Sequence, residues 1–198
     1  MHNCAQGSSY RADAPRRPRA DILSMAAFDR AALEQLRTLP GFGDVLLRPV
    51  RAGDTAALGR FYACMSPEDL GARFFAGRSA PPAGYVETLI RADGEHDVVL
   101  LAIRPPDGEV LGGVRLVEVE GAAELAITIR SDLKHRGLGA LLMSSLLGQA
   151  RRHGTAEVFA DILAENRASL GLARKLGFAL SRSAQAPDLV RATLHLAI

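Results

Sequence analysis

The chain reads as an α/β protein with one mixed, mostly antiparallel sheet of about 6–7 strands flanked by helices. Three observations predict this. Short runs rich in Val, Ile and Leu alternate with amphipathic segments of helical period. Val98–Ile103 is an almost unbroken apolar run, as expected of a strand buried on both faces. Beyond Glu124 the order strand, helix, strand calls for a parallel crossover set between hairpins.

Residues 1–24 read as a disordered basic tail, with Arg16, Arg17, Arg19, Pro15 and Pro18 and few apolar groups to offset ordering entropy. Residues 25–44 read as an N-terminal helical segment: Phe28, Ala32, Leu36 and Leu39 fall on one side of a helix over Ala26–Leu39, which Pro40-Gly41 stops. The folded domain spans 45–198. It opens with a short strand, Val45–Pro49. Asp54 is placed to cap a helix running to Cys64. Ser66-Pro67-Glu68-Asp69 is a helix start, with Ser as N-cap, Pro in the first turn and an acid at the third position. That helix ends at Arg73-Phe74-Phe75, a pair of rings read as core rather than pocket, and a shorter helix covers Ala83–Arg91. After Val98–Ile103, the turn Pro105-Pro106-Asp107-Gly108 leads to a strand at Val110–Val119. A tight turn at Glu120-Gly121 joins it to Glu124–Arg130. A helix from Gly137 to His153 carries Leu138, Leu141, Leu142 and Leu146 on one face and closes at Gly154. Val158–Ile162 is a strand and Arg167–Leu176 a helix stopped by Gly177. Phe178–Arg182 and Leu189–Leu196 are the last two strands.

Composition narrows the function classes. The 198 residues carry a net charge of +2, too small to argue for a nucleic-acid partner. No apolar run is long enough to span a bilayer, and no signal-peptide core is present. Cys4 and Cys64 form no metal-ligand spacing, so no metal is expected, and two scattered cysteines fit a reducing, cytoplasmic setting.

The chemistry concentrates where the strand ending near Ile129 runs into the Gly137 helix. A helix start leaves its first amides without intrahelical acceptors, and its dipole adds positive character. Glycines there let an anion approach closely, which suits a pyrophosphate. Lys134, His135 and Arg136 add positive charge beside Gly137, Leu138, Gly139 and Ala140. A Walker loop would need Gly-x-x-x-x-Gly-Lys-Ser/Thr, which is absent. A dinucleotide fingerprint would need Gly or Ala where Leu142 stands.

Lys134-His135-Arg136-Gly137-Leu138-Gly139 resembles the coenzyme A loop, Arg/Gln-x-x-Gly-x-Gly/Ala, of the Gcn5-related N-acetyltransferase (GNAT) family. Asn166, opening a helix that ends in Gly177-Phe178, resembles that family's second signature. The resemblance covers Val45 to Ile198. Ser66-Pro67-Glu68-Asp69, Arg73-Phe74-Phe75 and Ala123-Glu124-Leu125-Ala126 bring it nearest the GNAT domain of bacterial protein-lysine acetyltransferases. The resemblance implies acetyl-CoA as co-substrate. It implies that the amides around Arg136–Ala140 hold the pyrophosphate, and that Ile127, Thr128 and Ile129 hydrogen-bond the pantetheine arm. Asn166 would face that arm, cap its helix, or do both.

Amine attack on a thioester requires a neutral amine, and a lysine with a pKa near ~10.4 is mostly protonated at pH 7. A carboxylate must take the proton. Glu124 is the candidate: strand alternation sets it with Ala126 and Thr128, opposite Leu125, Ile127 and Ile129. A Glu in a matching strand position is the base proposed for the related protein acetyltransferases. Glu118 and Glu120 are the alternatives. The family's Tyr seven positions after the Asn, thought to protonate the leaving thiolate, is Ala173 here. Tyr62 and Tyr85 are other hydroxyls, which the sequence does not place. The acceptor is read as a protein lysine, with a small amine, or a non-catalytic acyl-CoA-binding module, as alternatives. The chain is read as a monomer or homodimer.

Overall fold

The computed structural model describes residues 28–75, 80–182 and 186–196; the predicted tail lies outside them. In chain order the elements are α1 (Arg30–Leu33), β1 (Gln35–Leu39), β2 (Gly43–Pro49), α2 (Thr55–Ala63), α3 (Pro67–Phe74) and α4 (Tyr85–Ile90). Then come β3 (Asp97–Arg104), β4 (Glu109–Val119), β5 (Ala122–Ile129), α5 (Leu138–His153), β6 (Glu157–Leu163), α6 (Arg167–Lys175), β7 (Ala179–Arg182) and β8 (Leu189–His195). The described strands make one sheet in the order β1-β2-β3-β4-β5-β6-β8-β7. Every neighbouring pair is antiparallel except β5 and β6.

β3 is the spine of the sheet, with Val98 to Ile103 all buried. Its alternation divides the interior. Val98, Leu100 and Ala102 join the core under α5 and α6, where Leu138, Leu142 and Leu146 meet Leu125 and Phe178. Val99, Leu101 and Ile103 face α2–α4, against Leu58, Phe61, Tyr62, Leu70 and Tyr85. Burying a leucine-sized side chain contributes about 1.5–3 kcal/mol, so both faces of the sheet are firmly held. Glu120 and Gly121 both take positive φ, 50° and 87°, the geometry a two-residue hairpin loop needs between β4 and β5.

The structure departs from the sequence reading in two places. The helix expected over Ala26–Leu39 exists only as one turn, α1, whose amides at Ala31 and Ala32 are accepted by the Asp29 side chain. The chain then extends into β1, an eighth, edge strand pairing with β2. Asp54 precedes α2 but does not cap it. Its carboxylate accepts from the Nη1 and Nη2 of Arg48, at 2.8 and 2.7 Å, and from the Arg51 amide at 2.7 Å. Burial alone would raise the Asp54 pKa, but those bonds hold it below the usual carboxylate range.

Candidate active site

The parallel pairing of β5 and β6 covers only Ala123↔Val158 and Glu124↔Phe159. Beyond that point the two strands diverge. β5 is held on its other side by β4 through Ile129, and β6 by β8 through Leu163. The fork leaves the β6-facing backbone of Leu125–Ile129 without a ladder partner on β6. Buried backbone polar groups are rarely left so, and an extended ligand laid along the fork would satisfy them. A cleft of about 400 Å³ opens there, lined by both strands, the loop before α5 and the start of α6.

One end of the cleft is the N-terminus of α5. The first internal bond of that helix runs from the Leu141 amide to the Gly137 carbonyl. Among the described residues, the amides of Gly137, Leu138, Gly139 and Ala140 donate to no acceptor. Four free donors at the positive end of a sixteen-residue helix make an anion site. The two glycines serve it differently. Gly137 takes φ 86°, a left-handed conformation that side chains resist, although a Cβ there would meet only Leu39, at 3.8 Å. At Gly139 the constraint is space: a Cβ would lie 3.1 Å from Leu172 Cδ2 and 3.7 Å from Ile127 Cδ1. His135 is also left-handed, at φ 62°, which stores backbone strain in the loop.

The expected site residues divide by position. Glu124, Ile127, Thr128, Ile129, Lys134, His135, Gly137, Gly139, Ala140 and Asn166 all line the cleft. Leu138 is not among the lining residues, and its side chain is buried in the core. Arg136 turns its guanidinium over the Phe42 ring, 6.0 Å from the centroid. Thr128 is buried and faces Tyr62, leaving its backbone to the fork. Asn166 caps α6, its Oδ1 accepting the Ser169 amide at 3.0 Å, while lining the cleft. Glu124 is exposed and stands at the last paired position before the fork. Glu118 is not among the residues lining the cleft; its carboxylate lies 3.7 Å from His96. Ala173 is buried in the cleft wall.

The Lys134 ammonium is bonded to Asp69, at the start of α3. Asp69 also accepts from the Ser131 hydroxyl at 2.6 Å, and the Ser131 oxygen accepts the Ser66 amide at 2.9 Å. Burial pushes the Asp69 pKa up, but Lys134, Ser131 and Ser66 outweigh it and hold the carboxyl below its ordinary value. This network ties α3 to the loop before α5. Sequence reading found Asp69 only as a capping acid and missed Arg73 as a cleft residue. It also placed Phe75 in the core, whereas that ring is 47% exposed at the cleft rim, on a left-handed residue that ends α3. Phe74 does pack against the α2–α4 core.

Comparison with known proteins identifies the family. The model of the GNAT acetyltransferase domain matches residues 44–179. Acetyltransferase PA5475 of Pseudomonas aeruginosa is 31% identical over 155 residues, 76% of this chain and 82% of that protein. Acetyltransferase Pat of Mycolicibacterium smegmatis is 31% identical over 157 residues, 77% of this chain but 46% of Pat, so the chain spans less than half of that relative. The L-methionine sulfoximine/L-methionine sulfone acetyltransferase of Pseudomonas aeruginosa is 36% identical over 80 residues, 37% of this chain and 46% of the enzyme. Among solved structures, the GNAT domain of S. lividans PAT superposes with a TM-score of 0.78 at 26% identity, covering 84% of this chain and 98% of that one. The Salmonella typhimurium yncA protein, solved with acetyl-CoA, gives 0.64 at 23% identity, covering 78% and 95%. A forked β5–β6 pair beside an open helix N-terminus, a family match over more than half the chain and relatives named acetyltransferases lead to one conclusion: this chain belongs to the GNAT family and is an acyltransferase.

Proposed function

We propose that the chain transfers the acetyl group of acetyl-CoA to the ε-amine of a protein lysine. The observation that carries the reading is the fork after Glu124↔Phe159, set beside the four free amides at Gly137–Ala140. In this reading the amides hold the diphosphate and the open edge of β5 aligns the pantetheine arm. Asn166 and Ser169 border the arm from α6. The yncA protein, which shares the fold, was solved with acetyl-CoA. The lysine acceptor is supported by the likeness to Pat and to the PAT domain along more than three-quarters of the chain.

Glu124 is assigned as the base. It accepts a proton from the incoming ammonium, directly or through one water, and the freed lone pair attacks the thioester carbonyl carbon. A β5 amide donates to the carbonyl oxygen as it gains charge. One C–N bond forms and one C–S bond breaks. The sulfur leaves as a thiolate and takes up the second proton that nitrogen sheds. A thiol pKa near ~8.5 makes it a tolerable leaving group, so Ala173 in place of a Tyr does not stop the reaction.

The 36% identity to the methionine sulfoximine/sulfone enzyme favours a second reading, a small amine acceptor. Release of free thiol from acetyl-CoA, measured with lysine proteins and with small amines, separates the two. Glu124→Gln is expected to lower turnover by about 10²–10⁴-fold while sparing coenzyme A affinity. Unchanged turnover in that variant removes Glu124 from the role. Binding without thiol release for any acceptor removes the transferase assignment.

A further inference from the structure

The cleft holds a cation with no counterion. Among the described residues, five arginines are not exposed: Arg48, Arg73, Arg104, Arg115 and Arg130. Arg48 pairs with Asp54, Arg104 with Glu109, Arg115 with Asp97, and Arg130 with Asp132 and Glu109. Arg73 alone has no carboxylate within 4 Å, and it is the one that lines the cleft. It stays charged at any physiological pH and carries five N–H donors. One of them is used: Nη2 donates to the Tyr85 hydroxyl at 2.7 Å. The guanidinium is fixed in place, 5.1 Å from the Phe74 ring centroid and 5.6 Å from that of Tyr85. Lys134, which lines the cleft from the loop before α5, is already bonded to Asp69. Lys175 is a flexible, exposed amine that costs nothing unpaired.

Position gives this spare charge a use. Arg73 borders Ala126 and Thr128, on the same face of β5 as Glu124. Ala126 and Thr128 follow Glu124 by two and four residues, roughly 6.5–14 Å along the strand, so Glu124 and Arg73 belong to one wall of the cleft. An acceptor whose amine sits at Glu124 presents its neighbouring group to Arg73.

We propose that Arg73 is a specificity residue that binds a carboxylate carried by the acceptor close to its reacting amine. The inference rests on the transferase reading above and narrows its substrate class. Two sources offer that chemistry: an acidic side chain next to the target lysine in a protein, or the α-carboxylate of a free amino acid. The first is an extended peptide lying across the cleft, the second a compact zwitterion inside it.

The test uses the full chain and its Arg73→Gln and Arg73→Lys variants. Acceptors come in matched pairs: a lysine peptide flanked by Glu or by Gln, and L-leucine against L-leucinamide. kcat and KM are taken from thiol release, and acceptor binding in the presence of coenzyme A from calorimetry. Arg73 is half-buried, so thermal melting and coenzyme A affinity first establish that each variant is folded. The expected result is a KM about 10–100-fold lower for the carboxylate member of one pair in the unmodified chain. That ratio falls to near one in Arg73→Gln and partly returns in Arg73→Lys, with kcat little changed. The peptide or the amino-acid pair showing the effect identifies the source. Equal ratios in the unmodified chain and Arg73→Gln overturn the inference even if transfer is fast. If no acceptor releases thiol, the transferase reading falls, and the calorimetric ratio still decides for or against the Arg73 site.

Discussion

Gly137→Ala isolates the backbone conformation on which the anion site depends. The native φ is 86°, and a Cβ there would have Leu39 Cδ2 as its nearest neighbour, at 3.8 Å. The substitution therefore meets no clash; its cost is the left-handed backbone itself, about 1–2 kcal/mol for an L-residue. For a chain of this size each kcal/mol moves Tm by about 2–4 °C, so a fall of roughly 2–8 °C is expected by scanning calorimetry or dye fluorescence. If the loop relaxes to escape the strain, the amides from Gly137 to Ala140 turn away from the cleft, and coenzyme A affinity by titration falls with it. Gly137→Asn should recover part of both, because Asn tolerates the left-handed region better than Ala. A Gly137→Ala variant with unmodified Tm and affinity would refute the argument that the loop needs this conformation.

Gly139→Ala should behave differently: a Cβ 3.1 Å from Leu172 Cδ2 asks that flexible methyl to give by a few tenths of an ångström, while Ala gains up to ~1 kcal/mol in helix propensity, so Tm should stay within about 3 °C. A drop beyond that shows that α6 cannot yield. Asp54→Asn leaves the Arg48 guanidinium buried without its anion and should cost about 3–5 kcal/mol in a urea melt. Because the folded Asp54 pKa is held low, the stability from this carboxylate is complete above the ordinary carboxylate range near ~3.9. It is lost as pH falls through the lower folded value, so the gap between the two proteins should close on acidification below about pH 4. A gap constant down to pH 2 contradicts the pairing. Asn166→Ala should lose about 1 kcal/mol of α6 capping, and a larger loss in coenzyme A affinity than in stability would mark it as a ligand contact as well.

Much of the architecture was legible because local pattern and tertiary environment agree. Val98–Ile103 reads as a doubly buried strand and is one. Ser66 reads as an N-cap and accepts the Asp69 amide at 3.2 Å. The alternation along Glu124–Ile129 matches the division of β5 between its two faces. β1 was missed because Phe28, Ala32, Leu36 and Leu39 happen to keep a helical spacing. Pairing with β2 through the turn at Gly41 and Gly43, both at positive φ, overrides it and leaves Leu36 60% exposed. The fork has no local signature at all. It depends on where two distant strands stop pairing, and neither strand's own residues announce that point. Arg73 was invisible for a similar reason: its missing carboxylate is a property of everything around it. The glycine helix start was legible because an open helix N-terminus is a local feature, written in Gly137, Leu138 and Gly139 themselves.

The central claim is that the free amides opening α5 receive the diphosphate of coenzyme A while the fork takes its arm. Amide chemical shifts read during a coenzyme A titration address it directly. Large, saturable shifts at Gly137, Leu138, Gly139 and Ala140, accompanied by shifts along Leu125–Ile129, are the predicted result. Coenzyme A that binds while these resonances stay still, or that fails to bind at all, would contradict it.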